Sequence, residues 1–213
     1  MSTANRRQFL CTLLTGSAAG MVAGCAVYEH ESADELDAAA VLERVRAAID
    51  GKSREEVRQE LDEAVRHYYR YTGNCAEGSF MALREVFDLP DGGISRALTA
   101  FPGLGGRNET CGAVTGSLMA AGLVFGRDDK TDSAEFFRAL MPTRQICEAV
   151  ESAVGSTQCG DIVEKAVGRR LDLFLEEDRA ALFSSPEGAR ACFTSVSTGV
   201  HAAGDLLMDA ALA

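Results

Sequence analysis

The chain has 213 residues, 46% of them apolar, four Pro, no Trp and a formal net charge of −11. That length can bury one good core, and so acidic a surface repels phosphate backbones, which excludes nucleic acid as an expected partner. The preponderance of Ala, Leu, Glu and Arg with little Pro favours helix over strand and predicts an all-α protein, a helical bundle of about seven to eight helices in a single domain.

At the N-terminus, Asn5-Arg6-Arg7-Gln8-Phe9-Leu10-Cys11 precedes an uncharged apolar stretch over 13–22. The paired arginines and weakly hydrophobic stretch resemble a twin-arginine export signal, and the stretch is short for a membrane span. Val22-Ala23-Gly24-Cys25 resembles a bacterial lipobox, which makes Cys25 a candidate for lipidation; cleavage elsewhere and an uncleaved anchor are the alternatives. The expected organisation is an export signal at 1–25, a polar linker at 26–33 and a helical cysteine-motif domain at 34–213. The expected location is the periplasm or outer face of a membrane, with association through the N-terminus. The twin-arginine route carries folded proteins, so it raises the expectation of a redox centre.

Residues 34–50 place Leu36, Val41, Leu42, Val45 and Ile49 on one helical face, with Gly51 as a stop. Ser53 and Glu56 form a capping-box pattern for a second helix bearing Val57, Leu61, Val65 and Tyr68. Asn74 caps a third helix from Cys75 to about Leu89, which Pro90-Asp91-Gly92-Gly93 breaks. A second breaker, Phe101-Pro102-Gly103-Leu104-Gly105-Gly106, leads to a helix capped by Thr110 that starts at Cys111 and runs to Gly126. In it Gly112, Gly116 and Ala120 recur every fourth residue. This bare stripe lets a neighbouring backbone come close, and leaves room beside Cys111 for a cofactor or a partner thiol.

Residues 131–154 predict another helix, with Phe136, Phe137, Leu140, Ile146 and Val150 as core positions and Pro142 as a kink or break. Ser156 or Thr157 caps a helix with Cys159 in its first turn, and the helical pattern continues over 171–183. Ser185-Pro186-Glu187 opens the last helix, which carries Cys192 in its second turn.

Cys75, Cys111 and Cys159 each fall where a helix begins. The N–H groups and positive dipole end of a helix N-terminus favour an anion, hence a thiolate, which is both the nucleophile and the metal-ligating form. Together with Cys192 these residues are candidates for redox catalysis or for holding an iron–sulfur cluster or another thiolate-bound metal. Their wide spacing rules out compact zinc-ribbon and ferredoxin patterns, but not convergence in space. Two stapling disulfides are the structural alternative. Cys147, between Ile146 and Val150, reads as a small buried apolar residue.

The segments Asn74-Cys75-Ala76, Cys111-Gly112-Ala113-Val114-Thr115-Gly116, Gln158-Cys159-Gly160-Asp161, and Cys192 with Val196, resemble the C_GCAxxG_C_C family. The resemblance spans about Tyr68 to Leu207. It implies a small redox-active helical protein, often exported and encoded near transporters, with its four functional cysteines at Cys75, Cys111, Cys159 and Cys192 and its motif glycines at Gly112 and Gly116. It supplies no substrate. His30, His67 and His201 are scattered, and no Ser-His-Asp motif, zinc helix, dinucleotide fingerprint or haem attachment signature occurs. Two functions therefore compete. One is an exported electron carrier or thiol oxidoreductase with a redox partner. The other is a disulfide-stapled, membrane-anchored helical module that binds a transporter.

Overall fold

The computed structural model describes residues 37–213, and these form helices with no strand among them. Arg6, Arg7, Cys11, Cys25 and Leu36, on which the export, lipidation and first-helix readings rest in part, lie outside the described residues. Eight helices have nine residues or more: α1 (Ala38–Ile49), α2 (Arg54–Thr72), α3 (Cys75–Phe87), α4 (Gly112–Phe125), α5 (Ser133–Val154), α6 (Cys159–Val167), α7 (Glu176–Ser184) and α8 (Pro186–Leu212). Three short turns at Ile94–Ala97, Leu98–Ala100 and Gly103–Gly106 take the total past the seven or eight expected. The first two lie between the two breakers and the third inside the second, where Gly and Pro hide such brief helical pieces from a periodicity reading. None of the described helices is long and apolar enough to cross a membrane.

Helix starts are set by local chemistry. Asp37 accepts a hydrogen bond from the Ala40 N–H at 2.8 Å, and Asp132 accepts one from Glu135 at 2.8 Å. Ser53 and Glu56 close the capping box, and Ser185 caps α8 with Pro186 at its first position. Gly73, Gly155 and Gly168 end α2, α5 and α6 in the left-handed conformation that glycine adopts without strain.

The last helix is the spine, packing against each of the other seven. Gly199 and Gly204 allow this: a Cβ on Gly199 would lie 2.9 Å from Ser117 Oγ on α4, and one on Gly204 would lie 2.6 Å from Leu61 Cδ1 on α2. Phe80, Leu83 and Phe87 of α3, Leu61 and Val65 of α2, and Val196, Val200 and Leu207 of α8 share one core. The solvent side of the antiparallel α2–α8 pair carries a ladder of polar contacts. Arg54 reaches Asp209 at 2.5 Å, Arg58 reaches Asp205 at 2.5 Å, and Asp62 meets His201 at 2.9 Å. Each step is one helical turn on both helices, which aligns the register of the two.

Two expectations need correction. Helix α5 runs unbroken through Pro142, and Phe136, Phe137 and Leu140 are 41%, 64% and 48% exposed, so they are not core; Ile146 and Val150 are buried. Periodicity identifies an apolar face but not whether another element covers it, and only the second half of α5 is covered. The 171–183 pattern becomes a helix only at Glu176. The preceding loop is tied down by the buried Asp178 carboxylate, which accepts from the Asp172 N–H at 2.7 Å and pairs with Arg169 at 2.5 Å. Leu171 is buried from this loop.

Candidate functional site

Three helix N-termini meet at the thiols. Asn74 caps α3 by accepting from the Ala76 and Glu77 N–H groups at 2.9 and 3.1 Å, which fixes Cys75 as its first residue. Cys159 is the first residue of α6, following Gln158 rather than a side-chain cap at Ser156 or Thr157. Cys111 itself, rather than the expected Thr110, occupies the cap position of α4, so the helix starts one residue later than expected, and the Cys111 backbone is extended. Its sulfur makes no capping hydrogen bond, but it lies close enough to the Ala113 and Val114 amides for them to favour its thiolate.

A single antiparallel bridge, Thr110 with Gln158, clamps two of these termini together. The Cys111 N–H donates to the Thr157 carbonyl at 2.8 Å and the Cys159 N–H donates to the Glu109 carbonyl at 2.7 Å. Side chains alternate across an extended segment, so Cys111 and Cys159, each one residue past the bridged pair, project to the same face as diagonal neighbours. Beside them Gly103, at φ +56°, brings the glycine loop against Cys159: a Cβ there would stand 3.4 Å from the Cys159 Cβ and 3.2 Å from the Asn108 nitrogen.

The glycine stripe on α4 has a definite occupant. A Cβ on Gly112 would lie 2.5 Å from Cys75 Sγ and 3.0 Å from the Ala76 nitrogen, and one on Gly116 would run into the Ala76 carbonyl. The room above the stripe is taken by the first turn of α3, and the Cys75 thiol sits in it.

Cys75, Cys111, Cys159 and Cys192 are all free thiols, with Cys111 6% exposed and the other three half-buried. The Cys75 thiol lies against Gly112, next to Cys111, and the two sulfurs act on one another. The Cys75 thiol is the largest influence on Cys111; the Ala113 and Val114 amides add to it, and together they overcome burial and bring Cys111 down to about 7. Cys75 moves the other way, well above an ordinary thiol, because the neighbouring Cys111 sulfur favours its protonated form and because it is buried. Burial raises Cys159 to about 12 and Cys192 to about 11, with the neighbouring Cys111 charge adding to both. The pair is thus polarised, with Cys111 the more readily ionised and Cys75 the proton holder.

The sequence reading missed two residues at this site. Tyr69, in the last two turns of α2, donates its hydroxyl to Cys192, and burial followed by the nearby sulfur charges raises its own ionisation. Its ring meets Phe193 edge-on at 6.0 Å. Ser195, fully buried on α8, lies 2.9 Å from the Ala191 carbonyl and also within reach of Cys111, so its one proton serves either acceptor. The signals available were Ser195 one turn beyond Cys192 and Tyr69 shortly before Cys75. Cys147 stands apart from the four: it packs against the main core in mid-α5, and burial raises its thiol.

Among the described residues, no three His, Cys, Asp or Glu side chains gather closely enough to hold a metal ion. The four thiols therefore do not fit a four-thiolate metal or iron–sulfur site as they stand.

A family model described as "Putative redox-active protein (C_GCAxxG_C_C)" matches residues 73–204. The chain belongs to that family. The match to C_GCAxxG_C_C takes in α3 to most of α8 and so contains all four clustered cysteines, both motif glycines and Ser195; Tyr69 precedes it. No curated protein and no solved structure matches the chain.

Proposed function

We propose that this C_GCAxxG_C_C protein is an exported two-electron thiol redox protein in which Cys75 and Cys111 cycle between dithiol and disulfide against a partner disulfide. The observation that carries this is the Cys75 sulfur seated against the bare Gly112, beside Cys111, where the starts of α3 and α4 face each other. A thiolate attacks and a good leaving group departs, and one sulfur that ionises near neutrality beside a protonated neighbour supplies both.

In the oxidising direction for the protein, the Cys111 thiolate attacks one sulfur of the partner disulfide. A mixed disulfide forms and the partner's other sulfur leaves as thiolate. Cys75 gives up its proton and attacks Cys111 Sγ, expelling the second partner sulfur. The protein ends with a Cys75–Cys111 disulfide and the partner with two thiols, so two electrons have passed to the partner. The reverse sequence reduces the protein.

Export is part of the proposal, supported by Arg6-Arg7 with the uncharged stretch after them, and membrane association is supported by the lipobox-like Val22-Ala23-Gly24-Cys25. The partner is a redox protein or small disulfide, or a membrane transporter whose thiols it serves.

The test is single-turnover reaction of the reduced protein with an aromatic disulfide that releases coloured thiolate. Wild type and Cys147→Ser should release two thiolates per chain in a fast phase, whereas Cys111→Ser should lose that phase. Equal rates in Cys111→Ser and Cys147→Ser would refute the proposal.

A further inference from the structure

Resting on the Cys75–Cys111 reading, we propose that Cys159 and Cys192 form a second dithiol pair, and that Cys111 passes the disulfide between the two pairs through a Cys111–Cys159 intermediate. Cys111, the nucleophile of the first pair, is the least exposed of the four cysteines. Cys111 is 6% exposed and lies in the main core with Cys75 packed against it. Cys159 and Cys192 are half-buried and belong to a different, smaller cluster with Val163, Leu171 and Leu182. Both pack against that cluster, where α6 lies on α8.

The link between the pairs is the backbone clamp already described. The Thr110–Gln158 bridge holds Cys111 and Cys159 on one face as diagonal neighbours, and two hydrogen bonds of 2.8 and 2.7 Å fix their backbones at that register. Such a clamp is unusual in a protein whose described part is otherwise helical, and it joins the two segments that carry these cysteines. The Tyr69 hydroxyl, aimed at Cys192, can stabilise that sulfur as it becomes a nucleophile.

The transfer balances without an outside oxidant. With Cys75–Cys111 oxidised, Cys159 gives up its proton and attacks Cys111 Sγ. The Cys111–Cys159 bond forms, the Cys75–Cys111 bond breaks, and Cys75 takes a proton. Cys192 then gives up its proton and attacks Cys159 Sγ, so Cys159–Cys192 forms and Cys111 leaves. Two electrons have moved from Cys159 and Cys192 to Cys75 and Cys111. Cys111 is the sulfur best suited to leave, because the Ala113 and Val114 N–H groups receive its charge.

The experiment oxidises the reduced full-length chain with one equivalent of diamide, quenches in acid at intervals, and maps disulfides by mass spectrometry. The expected result for wild type is both Cys75–Cys111 and Cys159–Cys192, reaching a constant ratio. Cys192→Ser, which lacks the sulfur that resolves the intermediate, should accumulate Cys111–Cys159 at least tenfold over wild type. The relay is overturned, with the first pair intact, if wild type forms Cys75–Cys111 while Cys159 and Cys192 remain thiols. It is also overturned if folded Cys192→Ser never contains Cys111–Cys159. Absence of Cys75–Cys111 from wild type and both variants, Cys159→Ser included, would defeat the dithiol reading itself. The wild-type time course stands alone should either variant fail to fold.

Discussion

The Cys75 sulfur rests against Gly112, beside Cys111, in space that is open only because Gly112 has no side chain. A Cβ at 112 would lie 2.5 Å from the Cys75 sulfur, so a packing requirement and a chemical one fall on the same residue. The asymmetry between the two thiols is set by geometry: both sulfurs are at helix N-termini, but only Cys111 is itself the cap residue, with the Ala113 and Val114 amides of its own first turn lowering its pKa.

This asymmetry predicts the pH dependence of alkylation. Cys111 is lowered to about 7, so as pH rises its thiolate is half formed near neutrality, where an ordinary thiol is only a few per cent ionised. Iodoacetamide labelling followed by peptide mapping should show the Cys111 rate rising through that range, with the Cys75 rate still low. In Cys75→Ala the Cys111 transition should move to higher pH, because its largest stabilising contact is gone.

Two glycines on one helix should respond in opposite ways to alanine. Gly116→Ala drives a methyl into the Ala76 carbonyl and should destabilise by roughly 1–3 kcal/mol despite the better helix propensity of Ala. Gly122→Ala meets nothing within 4 Å and should stabilise by about 0.5–1 kcal/mol. Denaturant titration of both variants checks the pair, and a gain in stability at Gly116 would contradict the close approach of α3.

The uncovered half of α5 gives a third contrast. Phe137→Ser, at a site 64% exposed, should change stability by less than about 0.5 kcal/mol. Ile146→Ala, fully buried further along the same helix, should cost about 2–5 kcal/mol.

Tyr69→Phe removes one hydroxyl from the thiol cluster and little else. Burial already raises Cys192 to about 11, and loss of the Tyr69 donor should raise it further and slow its alkylation at every pH below that value. An unchanged Cys192 rate would show that the tyrosine serves packing against Phe193 alone.

Much of the helical frame was legible because capping chemistry is local. Asn74, the Ser53 and Glu56 box, and Ser185-Pro186 announce helix starts within four residues, and the structure has each one. The placement of Cys75 at a helix start followed from the same signals, whereas Cys159 begins α6 without the Ser156 or Thr157 cap expected for it. Coverage was not legible, since nothing local to Phe136 or Phe137 says that no element lies over them. The Asp178 carboxylate that organises residues 169–172 acts between neighbouring segments whose helical pattern looked continuous. Tyr69 and Ser195 reach the thiols only through the packing of α2 and α8 on α3 and α4, a relationship that no spacing along the chain encodes.

The most direct test is a redox titration of the folded chain in dithiothreitol buffers, with each cysteine's state read by differential alkylation and mass mapping. The account predicts a reversible two-electron couple at Cys75 and Cys111 with helicity unchanged by circular dichroism, and with Cys147 a thiol throughout. A Cys75–Cys111 disulfide that yields to reductant only when the protein unfolds, or thiols at both positions under every oxidising buffer, would contradict it.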